Sequence, residues 1–152
     1  MSPRRPALAA LLLSALLAVA PTGCGPRLVA LDQVTIHAAP DANANNAVAI
    51  DLVLADDPAL DATLATLPAT DWFRRRAQVL RDFPEGVTVL SWELVPGQRI
   101  TAPVGRKAAG VYLFAAYASP GDHRTRLGFD RSEVTVTLQA DDFVLDAADR
   151  AE

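Results

Sequence analysis

The chain of 152 residues carries one thiol, Cys24, and two imidazoles, His37 and His123. With a single cysteine no disulfide can form within the chain. Two histidines without a second cysteine need carboxylates to complete a zinc site. No H-E-x-x-H, G-x-S-x-G or P-loop pattern occurs. Ser91 and Ser119 have no activating base beside them in sequence. His123 lies in a polar turn between Asp122 and Arg124 and reads as a solvated loop residue, as His37 does at a strand end. The acid pairs Asp56-Asp57 and Asp141-Asp142 lack the glycine-bearing loop of an EF-hand and read as a helix cap and a strand terminus. Arg74-Arg75-Arg76 on a helix would point three ways and form no single patch. The expectation is no catalytic residue, no metal and no cofactor.

Cys24 gains meaning from what precedes it. Arg4 and Arg5 form a short basic segment, Ala7 to Ala20 is an uncharged apolar run, and Pro21-Thr22-Gly23-Cys24 closes it with small residues. That is the three-part build of an export signal. An apolar run of 14 residues is short for a membrane span, which argues against an uncleaved anchor. Thr22-Gly23-Cys24 resembles the box that ends bacterial lipoprotein signals, where the cysteine receives diacylglycerol and then an N-acyl chain. Pro21 departs from that box, since an aliphatic residue is usual there. Lipid on Cys24 would also protect a thiol that an oxidising compartment leaves exposed to chemistry. Gly25 follows, with no aspartate, so similarity to known sorting signals implies the outer membrane. Residues 1–23 are thus expected to be a signal peptide and residues 24–27 a short lipidated tether.

Removing residues 1–23 takes away two arginines and no acid, leaving 129 residues with a net charge of −6. An acidic domain is a poor partner for nucleic acid or anionic lipid. The length suits one domain with one core. Leu28 to Leu31 with Val34 to Ile36, and Val48 to Leu54, read as strands, the second with one apolar face. Asp57-Pro58 opens a helix carrying Leu60, Leu64 and Leu67. Asp71 caps a second helix whose apolar side is Trp72, Phe73, Ala77, Leu80 and Phe83. Trp72 and Trp92 are expected in the core. Strands follow at Val87 to Val95, Arg99 to Val104, Gly110 to Ala118, Val134 to Leu138 and Phe143 to Leu145. The spacing predicts a mainly β, two-sheet sandwich over residues 28–146, with a small helical insertion at about 58–83 and a frayed acidic tail at 147–152. Between the first two strands, Ala38 to Asn46 offers Asp41, Asn43, Asn45 and Asn46 as hydrogen-bonding groups on a loop, a candidate binding surface.

The order of these features is itself informative. A lipoprotein signal is followed by a strand, an Asn-rich loop and Val48-Ala49-Ile50-Asp51-Leu52-Val53-Leu54. Then come a helical insertion with Asp71-Trp72-Phe73, a strand closing on Leu94-Val95-Pro96-Gly97-Gln98, Gly110-Val111 opening an Ala115-Ala116-Tyr117 strand, and His123-Arg124. This arrangement is similar to the outer-membrane lipoprotein family of the type VI secretion membrane complex (TssJ-like). His123-Arg124 departs from the family, where Trp-Arg is more typical. The resemblance implies a transthyretin-like β-sandwich without catalysis. It implies anchoring to the outer membrane, facing the periplasm, and binding to the periplasmic part of the large inner-membrane component. It places that contact at the loop holding Asp41, Asn43, Asn45 and Asn46. A rival reading is a generic sandwich lipoprotein that binds a small ligand or inhibits an envelope enzyme, which would need a deep apolar pocket.

Overall fold

The computed structural model describes residues 27–129 and 132–146. Eight strands make two four-stranded sheets. The first is ordered β4 (Arg99–Ala108), β1 (Val29–Ala38), β7 (Glu133–Leu138), β8 (Phe143–Leu145); the second is β3 (Val87–Leu94), β2 (Val48–Ala55), β5 (Gly110–Ala116), β6 (Arg124–Arg126). Every pairing is antiparallel except β1 with β7. The expected β-sandwich with a helical insertion is therefore present. The signal peptide, Cys24 and the tail at 147–152 lie outside the described residues.

The space between the sheets is filled by alternate residues of each strand, among them Leu31, Val34 and Ile36 of β1, Ile50, Leu52 and Leu54 of β2, and Val134, Val136 and Leu138 of β7. β2 is buried on its other face as well. Two helices, α2 (Pro58–Leu64) and α3 (Ala69–Asp82), cover the outer side of the second sheet and close a second core of Val53, Leu60, Leu64, Trp72, Tyr112 and Phe114. This is why β2 does not show the single apolar face expected of it. β4 continues to Ala108, past its expected end, and β6 is a strand where none was expected.

α2 starts where Asp57 accepts from the backbone N–H groups of Ala59 and Leu60, at 2.7 and 3.0 Å, with Pro58 in the first turn. The capping expected of the Asp56-Asp57 pair is thus made by Asp57. α3 begins two residues before Asp71, so Asp71 is not its cap; it lies in the first turn and pairs with Arg74. The buried stripe of α3 also differs from the expected one. Trp72 is fully buried and Val79 and Phe83 pack partly against the second core, whereas Ala77 is exposed and Leu80 is 40 % exposed. The reason is Arg76, which takes a place in the inward stripe that an apolar residue would otherwise hold.

Arg76 reaches Asp51, at the centre of β2 and only 1 % exposed. Asp51 accepts from Trp72 Nε1 at 2.8 Å and from Arg76 at 3.0 Å. Trp72 in turn stacks on Phe114 with ring centroids 5.1 Å apart. A buried carboxylate is costly unless paired and hydrogen-bonded; here both conditions are met by one helix. Asp51→Ala should destabilise the chain by about 2–3 kcal/mol, since it strands the indole N–H and frees Arg76. Urea denaturation measures this, and a loss below about 0.5 kcal/mol, the usual scale of surface substitutions, would remove Asp51 as the helix clamp.

Candidate functional site

β1 runs from the N-terminal side of the domain to the β1–β2 loop, with β4 and β7 laddered along it. The sandwich therefore has two poles. The start of β1, the end of β4, the start of β5 and the end of β6 lie at one pole, where the described chain begins at Arg27. The β1–β2 loop, the β5–β6 loop and the β7–β8 turn meet at the other.

The β1–β2 loop is tightly built. Asn43, Ala44 and Asn45 have φ of 47, 52 and 66°, a left-handed run within the short turn α1 (Ala42–Asn45). Asparagine tolerates that region better than most residues, and Ala44 pays for it. Asn43, 7 % exposed, points inward: its amide donates to the Ala47 carbonyl at 2.9 Å and its oxygen accepts from Ala118 N–H at 2.8 Å. Its backbone N–H bonds the Gln139 carbonyl at 3.0 Å. One residue thus ties these three segments together. Asn46 bonds back onto the Asn43 and Ala44 carbonyls, while Asp41 and Asn45 stand exposed. Of the four loop residues singled out by sequence, Asp41 and Asn45 present side chains outward, Asn46 braces the turn, and Asn43 supports the loop from within.

His123 is 5 % exposed and not the solvated residue its polar neighbours suggested. Its backbone sits at φ 41°, and its ring lies against Tyr117 at 4.9 Å between centroids. Nδ1 is 3.0 Å from Asp142 Oδ1, and Nε2 is 2.8 Å from the Ser119 carbonyl. A Cβ on Gly121 would fall 2.7 Å from this ring, so glycine gives it room. The Tyr117 hydroxyl donates to the Asp142 carbonyl at 2.9 Å and Ser119 Oγ to the Asp141 carbonyl at 2.5 Å. The β5–β6 loop and the β7–β8 turn are clasped at three points. Burial lowers the His123 pKa, but hydrogen bonds to Asp142 and Ser119 and the charges of Asp142 and Asp122 outweigh it, for a net rise. Burial, with the charge of Asp142 next, raises that of Tyr117. Nε2 meets the backbone carbonyl of Ser119 and not its hydroxyl, which bonds Asp141 instead, so His123 and Ser119 are not a base and nucleophile.

Shallow depressions flank the clasp. One of about 410 Å³ is lined by Asp41, Thr137, Gln139, Asp141 and Asp142; another of about 340 Å³ lies between Arg124 and Thr125 of β6 and Phe143 and Val144 of β8. Both open to solvent, unlike a site that engulfs a small ligand. Sequence reasoning missed the histidine clasp because its partner, Asp142, lies 19 residues away and no local pattern joins them.

At the other pole, Asp61 of α2 accepts from the Tyr112 hydroxyl at 2.5 Å and from Arg126 at 3.1 Å. Burial, then the Asp61 hydrogen bond, pushes the Tyr112 pKa up to about 12. A Cβ on Gly110 would come within 1.9 Å of Asp61, so this approach requires glycine. Phe129 lies under two guanidinium groups, Arg27 and Arg126, each 5.2 Å from its centroid.

With the geometry in view, known structures decide the fold. TssJ1, the type VI secretion lipoprotein of Pseudomonas aeruginosa, superposes with a TM-score of 0.57 at 19 % identity, over 84 % of this chain and 99 % of that one. The fold is TssJ-like. A chain of a type VI membrane complex aligns at TM-score 0.61 and 13 % identity, over 80 % of this chain and 98 % of its own. A chain in the structure of the T6SS protein TssM C-terminal domain from EAEC aligns at TM-score 0.59 and 14 % identity, over 74 % and 98 %. No protein-family model and no curated protein matches the sequence.

Two measurements test the loop pole. Asn43→Ala should cost about 2–4 kcal/mol, from two lost hydrogen bonds and a left-handed backbone. Asn43→Gly should cost about 1–2 kcal/mol less, because glycine relieves the backbone; equal losses in thermal or urea unfolding would contradict this account. His123 is held charged more firmly when folded than when unfolded. Its contribution is complete below its ordinary value of 6.5 and is lost as pH rises through the raised folded-state value. Asp142→Asn should flatten that part of the stability–pH curve, and an unchanged slope would mean that the clasp does not titrate as described.

Proposed function

We propose that the chain is an outer-membrane lipoprotein that anchors the type VI secretion membrane complex and helps to assemble it. In this reading lipid on Cys24 holds one pole of the sandwich, and the opposite pole binds the periplasmic part of the large inner-membrane component. The observation that carries it is the TssJ-like fold placed directly behind Thr22-Gly23-Cys24.

The geometry suits that role. From Cys24 to Arg27 the backbone spans at most about 11 Å, so an acylated Cys24 keeps that pole at the membrane surface. β1 then carries the chain through ten residues, about 33 Å, to the loop pole. The loop pole faces away from the bilayer, toward an approaching periplasmic partner. Its rigidity matters for affinity, because a surface already held by Asn43 and His123 loses little freedom on binding. Two or three acyl chains, at roughly 0.8 kcal/mol per buried CH₂, hold a domain of this size firmly.

The small-ligand reading has less support, since the depressions at the loop pole are open. An enzyme would need titratable groups converging on a substrate-sized cleft, and the strongest such group, His123 with Asp142, is spent on clasping two loops.

Mass spectrometry of the mature N-terminus should find diacylglycerol and an N-acyl chain on Cys24. Cys24→Ser should move the protein from the membrane to the soluble periplasmic fraction and abolish complex assembly. A photo-crosslinker at Asp41 or Asn45 should capture the large inner-membrane component. Normal assembly by an unlipidated Cys24→Ser protein would reject anchoring as the role.

A further inference from the structure

Among the described residues each sheet has two free edges, and three of the four are guarded. β6 and β8 are only three residues long. β4 is interrupted by Pro103 and by Gly105 at φ 59°, bears Arg99, Arg106 and Lys107, and slips register against β1 between Leu31 and Gln33. Short length, proline, bulges and basic residues are the usual devices that stop an edge from pairing.

β3 has none of them. It runs eight residues, Val87-Thr88-Val89-Leu90-Ser91-Trp92-Glu93-Leu94, with no proline, glycine or basic residue and one charge, Glu93. It pairs with β2 in unbroken register and has no neighbour on its other side among the described residues. Leu90 and Trp92 are large apolar residues left only half-buried. The direction of its amides follows from the ladder. Asp56 N–H donates to the Gly86 carbonyl at 2.9 Å, one step beyond the Ala55–Val87 pair. Antiparallel pairs alternate, so Thr88, Leu90, Trp92 and Leu94 bond to β2, while Val87, Val89, Ser91 and Glu93 direct N–H and C=O groups outward.

A second copy does not fit this edge if the chain is anchored. Antiparallel self-pairing would put the Val87 ends, and with them the two lipid poles, at opposite ends of the pair, where one membrane cannot hold both. Parallel self-pairing about a two-fold sets each outward amide against its own copy, donor facing donor, whereas a parallel ladder needs a one-residue stagger.

We infer that β3 receives an extended segment of the partner protein, which adds to the second sheet as a fifth strand. This rests on the partner-binding reading above. The segment is one without internal proline, with apolar residues at every second position to cover Leu90 and Trp92, and a basic residue opposite Glu93. Backbone hydrogen bonds supply affinity and the alternating side chains supply specificity.

The test uses the full lipidated chain in detergent and the periplasmic C-terminal region of the large inner-membrane component. Amide exchange at Val89, Ser91 and Glu93 should slow in the mixture and not in the chain alone. Ser91→Pro removes an N–H that the chain itself does not use, at an edge where proline is tolerated; it should weaken binding by about tenfold or more in Kd. Ser91→Ala should bind as the wild type does. A folded Ser91→Pro protein with wild-type affinity, or unprotected amides in a complex that does form, would overturn strand addition while leaving the partner reading intact. Absence of any complex rejects the partner reading and this inference with it. Protection that grows with the concentration of the chain alone would assign the edge to a second copy. If Ser91→Pro does not fold, the exchange measurement on the wild type decides.

Discussion

The arrangement of the domain depends on the carboxylate of Asp51, held in the dry middle of β2. A charge in that position must be paired, and the chain pairs it twice from one helix, through Trp72 and Arg76. The requirement fixes where α3 lies on the second sheet and which of its faces turns inward. Once α3 is fixed, Trp72 stacks on Phe114 and the helical pair covers a sheet face that would otherwise expose Val53, Tyr112 and Phe114. α2 is tied at its own end of the sheet by Asp61, through Tyr112 and Arg126. Both helices are therefore positioned by acids, one on the strand and one on the helix, and the apolar contacts fill the space between.

The same division recurs at the two poles. The pole where β1 begins is braced by Asp61, Tyr112 and Arg126, with Arg27 and Arg126 over Phe129. The loop pole is braced by Asn43 and His123, which bind neighbouring segments through side chains that turn inward. What remains free to meet another molecule there is a set of exposed groups, Asp41, Asn45 and Asp141, on a support that cannot easily rearrange.

The periodic strands were legible because alternation is a local signal: Val48, Ile50, Leu52 and Leu54, and Val134, Val136 and Leu138, face the core as their spacing predicts. The insertion of two helices was legible from Pro58 and Leu60 and from Trp72. What stayed hidden was everything settled by residues far apart in sequence. Asp51 reads as a surface position on an alternating strand until a helix 21 residues later covers it. Arg76 reads as part of a solvated basic run until that same carboxylate claims it. His123 reads as polar loop until Asp142 and Ser119 enclose it. In the candidate loop, sequence could mark Asp41, Asn43, Asn45 and Asn46 but not sort them, since the sorting depends on left-handed backbone and on a carbonyl in the β7–β8 turn.

The place of β1 in its sheet has a mechanical side. It is the first strand after Cys24, and it lies between β4 and β7, not at an edge. Tension entering through a lipid on Cys24 would run along the strand axis. It would load the antiparallel ladder to β4 and the parallel ladder to β7 together, in shear, so that many hydrogen bonds must yield at once. A terminal strand at the rim would share the load with one ladder instead of two. The first strand after Cys24 is thus gripped from both sides.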